Sequence, residues 1–207
     1  MATRKRGSRS SGQQRKSAER NGKAQDATAL LKADHREVEG LFKSFERADA
    51  AAEKLSLAKK ICKALKVHAQ IEEEIFYPAF IEATDEQDLH DEALVEHEGA
   101  KKLIAEIESG SPGDELFDAK VTVLSEMIKH HVQEEEQRGG MFSKARSAKM
   151  DLEALGAKLA ARKQELESAL GSSSSKRAGP RQTPAALMRA ASLAGSRSAR
   201  AHVRRSP

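Results

Sequence analysis

The stretch KVHAQIEEEIFYPAF, residues 66–80, places polar side chains on the apolar side of a predicted helix. Ile75 and Phe76 follow helical spacing, and His68 and Glu72 fall on the same stripe. Burying such groups without partners costs roughly 2–7 kcal/mol each. They must therefore be paired, exposed or bound to a ligand.

The composition favours a helical protein in a reducing compartment. The 207 residues are 33% charged and 38% hydrophobic, with five prolines, no tryptophan and one tyrosine, which is typical of amphipathic helices. Cys62 is the only cysteine, so an internal disulfide and a cysteine-rich metal site are excluded. Because the chain has neither an apolar run of membrane-spanning length nor a secretory signal pattern at its start, we expect a cytoplasmic protein without membrane association.

Charge is distributed in blocks along the chain. Residues 1–25 hold eight basic residues and one acidic residue, and residues 171–207 hold eight basic residues and no acidic residue. The intervening residues 26–170 hold 20 basic and 31 acidic residues, a net charge of −11. Both ends are poor in large apolar residues, and we predict that they are disordered basic tails. Weak, salt-sensitive contact with nucleic acid is one function for them, but the lack of interleaved aromatic residues favours simple solvated tails.

Hydrophobic periodicity predicts five helices. They cover residues 26–49, 52–82, 85–108, 114–138 and 152–170. Pro78 is expected to kink or close the second helix, and Gly171 to end the fifth. Leu116 and Val123 are expected on the apolar side of the fourth helix. Four long helices with short connections predict an all-α, up-down-up-down four-helix bundle over residues 26–147, followed by an additional C-terminal helix within 148–170.

Each of the four bundle helices carries a histidine on or beside its apolar stripe. These residues are His35, His68, His97 and one of the adjacent pair His130 and His131. A lone histidine in a core is more often a hydrogen-bonded structural residue than a ligand. Recurrence on four consecutive helices instead indicates a shared site.

Two of these histidines are followed four residues later by a glutamate, in His68–Glu72 and His131–Glu135. Residues at this spacing lie about 5–6 Å apart on one helix face, so both can reach one metal ion. Imidazole nitrogen and carboxylate oxygen together suit iron, with zinc, manganese or copper as alternatives.

Other residues near these sequences are open to interpretation. His130 and Glu134 have the same spacing as His131 and Glu135, so the pattern leaves two registers open. Glu73, Glu74 and Glu136 lie in charged runs and are interpreted as solvated. Tyr77 could reach the site, but its position in an apolar segment favours packing.

Four segments together resemble the hemerythrin-like HHE cation-binding family. They are LLKADHREVEGLF, HAQIEEEIFYP, LVEHEGAKKLI and HHVQEEEQRGGMFSKAR, and the resemblance covers about residues 27–147. It implies a non-haem di-iron centre in which four histidines are ligands and two glutamates bridge the two iron ions. The implied ligands are His35, His68, Glu72, His97, His131 and Glu135.

The resemblance implies a protein that meets O₂, peroxide or nitric oxide as a sensor, scavenger or iron store. Lys101 stands where oxygen-carrying members have a further histidine, which argues against reversible oxygen carriage. Two alternatives are a di-iron enzyme, either peroxidase- or catalase-like or an iron donor in cluster repair, and a nucleic-acid-binding protein that uses its basic tails and a passive bundle.

Overall fold

The computed structural model describes residues 25–176, with side chains described through residue 171. The chain divides into two units after Ser168, and every contact discussed below lies before that residue. The two predicted disordered tails therefore lie outside the described residues, apart from residues 25 and 171–176. Among the helices of the described part, none is both long enough and apolar enough to cross a membrane.

The described residues form seven α-helices and one π-helical segment. They are α1 (Ala27–Arg47), α2 (Ala51–Ile71), the π segment (Glu72–Phe76), α3 (Tyr77–Thr84), α4 (Gln87–Ser109), α5 (Phe117–Glu136), α6 (Met141–Ser147) and α7 (Leu152–Lys176). Helix α1 packs against α2 and α5, and α4 packs against the same two helices. The predicted all-α four-helix bundle with an additional C-terminal helix is confirmed.

Two apolar clusters fill the bundle, one on each side of a polar layer. The first cluster includes Val38, Phe42, Leu57, Ile61, Leu65, Ile104, Phe117 and Leu124. The second cluster includes Leu31, Ile71, Phe76, Phe80, Met141, Phe142 and Leu159. On α1 the sequence passes from Leu31 in the second cluster through His35 to Val38 in the first, so the histidine lies between the two.

The second arm of the bundle is helical from Ala51 to Thr84, but it is not a regular α-helix. Its centre widens into the π segment, in which the Tyr77 N–H donates to the Glu72 carbonyl five residues earlier. Pro78 lies in the first turn of α3, where its missing N–H is accommodated by the wider turn. The helix was predicted over residues 52–82 with a kink or an end at Pro78; it does not end there, and its irregularity lies just before Pro78, in a π segment that inserts one extra residue into the turn.

The start of the fourth predicted helix and the segment after it also differ from the prediction. Helix α5 begins at Phe117 and not at Asp114, because the Asp114 carboxylate accepts from the Ser111 N–H and holds a turn instead. Leu116, just before the helix, and Val123, within it, are 59% and 48% exposed, so their expected placement on the apolar side was wrong. The short helix α6 was not predicted.

Gly171 does not end the last helix. Helix α7 continues to Lys176, because Gly171 does not adopt the left-handed conformation that closes a helix. Elsewhere a glycine does have a structural role: a Cβ on Gly140 would lie 2.1 Å from the Glu134 carbonyl oxygen, so only glycine lets α6 start so close to the end of α5.

Candidate metal centre

Six side chains meet in the polar layer between the two apolar clusters. Helices α1, α2, α4 and α5 contribute one histidine each, the π segment contributes a glutamate, and α5 contributes a second one. All are at most 6% exposed: His35, His68, Glu72, His97, His131 and Glu135. The structure thus brings all six sequence-predicted site residues together.

The four imidazoles form two pairs that face each other. His35 Nε2 lies 3.0 Å from His68 Nε2, and His97 Nε2 lies 3.3 Å from His131 Nε2. In both pairs the Nε2 atoms face each other in the centre, and the Nδ1 atoms point away from it.

Glu72 spans the two histidine pairs. One of its oxygens, Oε1, lies 3.2 Å from His68 Nε2, and the other, Oε2, lies 3.5 Å from His97 Nε2. Each carboxylate oxygen therefore belongs to a different pair, which is the geometry of a group that bridges two centres.

Glu135, on α5, spans the same two histidine pairs. Its Oε2 lies 3.4 Å from His35 Nε2 and its Oε1 lies 3.8 Å from His131 Nε2. Two groups of potential ligands result, one made by His35, His68, Glu72 and Glu135 and the other by Glu72, His97 and His131.

Several of these buried oxygens have no hydrogen-bond donor within the described residues. Both carboxylate oxygens of Glu72 and the Oε2 of Glu135 are in this state. Leaving a buried charged acceptor unsatisfied costs at least about 1–3 kcal/mol. Carboxylate oxygens and imidazole nitrogens that converge in this way fit one or two divalent cations.

A second layer of carboxylates faces the outward nitrogens of the four histidines. The Nδ1 atoms of His35, His97 and His131 lie 2.7, 2.8 and 2.7 Å from carboxylate oxygens of Glu136, Glu73 and Glu96, respectively. His68 Nδ1 faces Asp34 Oδ2 at 3.5 Å, an ion-pair distance. Since a carboxylate only accepts, a close partner of this kind holds the proton on Nδ1 and presents the Nε2 lone pair to the centre.

The four outer carboxylates form a ring around the bundle, in which each one faces the histidine of a neighbouring helix. Asp34 on α1 supports α2, Glu73 in the π segment supports α4, Glu96 on α4 supports α5, and Glu136 on α5 supports α1. Each one is the sequence neighbour of an inner residue, so it reaches the histidine of the next helix while its neighbour points inward. Hydrogen bonds in the ring fix the orientation of three imidazoles, whereas His68 faces Asp34 at an ion-pair distance without a hydrogen bond.

The interpretation of Glu73 and Glu136 as solvated residues was wrong. Their side chains are only 24% and 18% exposed, and each accepts from an inner histidine. Basic side chains pair with these two carboxylates on the side facing solvent. Lys101 Nζ lies 2.8 Å from Glu73, and Arg36 donates to Glu136. Glu74, by contrast, does lie at the surface, where it pairs with Arg162.

The charges of the centre shift the pKa values of its own groups. Burial disfavours the charged imidazolium of His68, but the carboxylates of Glu72, Asp34 and Glu135 together outweigh this and raise the pKa of His68 to about 10. For His131 burial is likewise outweighed, by Glu135 and Glu96, and the pKa rises to about 9. A cation bound at the centre therefore competes with protons for these two imidazoles.

Tyr77 belongs to the centre as well as to the apolar packing. Its hydroxyl lies 3.3 Å from Glu135 Oε1, to which it donates, and 3.3 Å from His97 Nε2. Burial, together with Glu72 and Glu135, raises the pKa of Tyr77 well above its usual value, so the hydroxyl keeps its proton. The preference for packing alone missed this contact because the π segment, which the periodicity does not reveal, places Tyr77 one wide turn after Glu72.

The structure also separates the two registers of the late motif. His131 and Glu135 lie in the centre, whereas the His130 side chain is 66% exposed and pairs with Glu134 outside the bundle. Cys62 is buried in the first cluster, where burial raises the pKa of its thiol to about 12, and it takes no part in the centre.

A small apolar cavity adjoins the four histidines. Its volume is about 30 Å³, and its non-polar wall includes Val38, Leu65, Ala100 and Ile104. An open groove of about 360 Å³ lies between α1 and α5, and His35, Ile128 and Val132 line both spaces. These three side chains therefore separate the cavity from the groove.

With the fold and the centre described, comparison with known proteins gives the class. The family model of the hemerythrin HHE cation-binding domain matches residues 26–139, which is more than half of the chain. The chain belongs to this family, as the resemblance in its sequence indicated.

Two individual proteins show how far the likeness extends. A solved structure of a hemerythrin HHE cation-binding domain-containing protein from Mycobacterium kansasii superposes with a TM-score of 0.61 at 23% identity, over 70% of this chain and 89% of that one. A protein of Nostoc sp. named DNA nickase is 30% identical over 110 residues, which is 52% of this chain. The match spans only 30% of the Nostoc protein's length.

Proposed function

We propose that this chain is a cytoplasmic, non-haem di-iron protein that interacts with O₂, peroxide or nitric oxide as a sensor, scavenger or iron store. Four histidines would supply terminal nitrogen ligands to the two ions, and two glutamates would bridge them. The proposed ligands are His35, His68, Glu72, His97, His131 and Glu135. Another divalent metal at the same positions is the alternative that the donor set allows.

The observation that carries the proposal is the position of the two inner glutamates. Each places one oxygen beside each histidine pair, and three of their four oxygens are buried without a donor. A pair of iron ions held there would supply reversible one-electron chemistry and open coordination positions. The family to which the chain belongs is named for cation binding, which supports the same conclusion.

The size of the adjoining cavity supports a small ligand. A volume of about 30 Å³ has room for a diatomic molecule or peroxide, whereas pockets for organic substrates usually measure about 300–1,000 Å³. Its apolar wall excludes most water from the histidines. Lys101 contributes to the lining of this cavity while its Nζ is held by Glu73 and Glu98.

The test is metal content per chain, measured by elemental analysis on protein from iron-supplemented cells. We expect about two irons in the wild type and none in a His68→Ala/Glu72→Ala variant. The exposed, charge-matched substitution Glu46→Gln is the control and should keep both ions. Wild-type protein that holds no iron, and takes up none anaerobically, would end this proposal.

A di-iron enzyme with peroxidase- or catalase-like activity is a second candidate, and Tyr77 is the observation that favours it. Its buried hydroxyl donates a hydrogen bond at the centre and is distinct from the six proposed ligands. Peroxide consumption by iron-loaded protein should then fall in Tyr77→Phe while the iron content stays the same. Turnover no faster than that of free iron would exclude this activity.

Contact with nucleic acid is a third candidate. Its support is the excess of basic residues in 1–25 and 171–207 and the similarity to a protein named DNA nickase. Full-length protein should retard duplex DNA at low salt, with an affinity that falls steeply as salt rises, and deletion of both segments should abolish it. Absence of retardation at low salt would exclude this role.

A further inference from the structure

A third group of metal-binding side chains lies outside the inner centre. His130 Nε2 is 3.2 Å from Glu134 Oε1 on the same helix and 3.6 Å from Glu96 Oε1 on α4. Potential ligand atoms of all three residues lie within 4.8 Å of one another. One imidazole nitrogen and two carboxylate oxygens are a donor set for Fe²⁺, Mn²⁺ or Zn²⁺.

This outer group is built from the second register of the late motif. The segment HHVQEEE contains two overlapping pairs at the four-residue spacing, and consecutive residues of a helix point about 100° apart. One pair therefore points into the bundle and the other meets Glu96 at the surface.

A narrow cleft connects the outer group with the inner centre. Its lining includes Glu92, Glu96 and Glu134 on the outer side and the buried His131 and Glu135 on the inner side. Apart from His131, every ionisable residue of the lining is a glutamate, and the space of about 10 Å³ is close to what a single water molecule needs. The buried Glu135 side chain lines the inner end of the cleft, and its Oε2, which faces His35 in the inner centre, has no hydrogen-bond partner in the described chain. A small cation suits this passage in size and charge, and an anion does not.

Glu96 joins the two sites directly. Its Oε1 faces His130 in the outer group, and its Oε2 accepts from His131 Nδ1 in the inner centre. An ion bound by the outer group would therefore share the Glu96 carboxylate with the inner histidine His131.

We propose that Glu96, His130 and Glu134 form an entry site, where a divalent cation binds before it passes along the cleft into the inner centre. The delivery role rests on the proposed function of that centre. Because His130 is largely exposed, water completes the coordination of the ion, and the site binds more weakly and exchanges faster than the buried one.

The experiment is a titration of metal-free protein with Co²⁺, followed by its visible absorption and by equilibrium dialysis. The entry-site variant is His130→Gln/Glu134→Gln, which leaves Glu96 in place to hold His131. Glu46→Gln is the control for a lost surface charge, and His68→Ala/Glu72→Ala removes the inner centre. Circular dichroism of each metal-free protein checks the fold.

Wild type should bind three Co²⁺, the entry-site variant two and the inner-centre variant one. In stopped flow at sub-stoichiometric Co²⁺, inner loading should be about tenfold slower in the entry-site variant than in Glu46→Gln, since carboxylates that concentrate a cation at a cleft raise its association rate by about 10 to 1,000-fold. Two Co²⁺ in both wild type and the entry-site variant would overturn the entry site and leave the proposed function intact. An unchanged loading rate would overturn the delivery role. A wild type that binds one Co²⁺, lost only in the entry-site variant, would overturn the inner centre and delivery together.

Discussion

The outer carboxylate Glu73 should tune the metal affinity of one half of the centre. It lies 2.8 Å from His97 Nδ1, whereas the adjacent Glu74 pairs with Arg162 at the surface. The substitutions Glu73→Gln and Glu74→Gln change the chain identically at neighbouring positions. Only the first one removes the negative charge behind an inner histidine.

The expected magnitude follows from the type of hydrogen bond. A hydrogen bond to a charged group contributes about 1.5–3 kcal/mol net and a neutral one about 0.5–1.5 kcal/mol. Because a glutamine can still accept from Nδ1, Glu73→Gln should cost about 1–2 kcal/mol of metal binding, roughly a 5–30-fold loss of affinity. This agrees with the 10–100-fold losses typical of changes behind a metal-bound histidine.

The assay is competition for Zn²⁺ between metal-free protein and a chromophoric chelator. His97 belongs to only one of the two inner groups, so Glu73→Gln should weaken one of the two tightly bound ions and leave the other near its wild-type affinity. Glu74→Gln should weaken neither, since its ion pair is exposed. Equal affinities in the two variants, with both folded by circular dichroism, would refute the role of the carboxylate ring.

Four further outcomes are expected. The pKa values of about 10 for His68 and about 9 for His131 exceed the reference value of 6.5, so both imidazoles are protonated in metal-free protein at pH 7. Zn²⁺ loading at that pH should therefore release about two protons. Calorimetry in buffers of different ionisation enthalpy measures this number. The same raised values stabilise metal-free protein below about pH 6.5, and urea unfolding should show that this stability is lost as the pH rises through 9 and 10. Gly140→Ala meets a backbone oxygen at 2.1 Å and should lose about 1–3 kcal/mol in urea unfolding, whereas Gly40→Ala, with open space around it, should gain up to about 1 kcal/mol. Tyr77→Phe removes the hydroxyl but keeps the ring, and should cost metal-free protein about 1 kcal/mol in the same assay.

The inner residues could be predicted from the sequence because a regular helix fixes which residues share a face. Histidine and glutamate four residues apart point the same way in any α-helix, so His68 with Glu72 required no knowledge of the neighbouring helices. The place of Tyr77 could not be derived in this way. It depends on the π segment, whose extra residue changes which side chain follows Glu72 around the helix.

The outer carboxylates were missed for a different reason. A glutamate beside an inner ligand points about 100° away from it, and whether that direction meets solvent or another helix depends on how the helices pack. Glu73 meets His97 and Glu136 meets His35, while Glu74 meets only the surface. The available signal was the adjacency itself: each of the four inner positions His35, Glu72, His97 and Glu135 has an acidic neighbour that supports the next helix.

Because of this adjacency, the three glutamates of each EEE run make three different contacts. In residues 72–74 the glutamates point in turn to the inner centre, to His97 and to the surface. In residues 134–136 they point to the outer group, to the inner centre and to His35. Because each contact depends on a 100° step around the helix, a single-residue insertion before either run would move every glutamate one step away from its present contact, whereas the net charge of the run would stay the same. The order of these acids along the helix, more than their number, therefore determines both the centre and the ring that supports it.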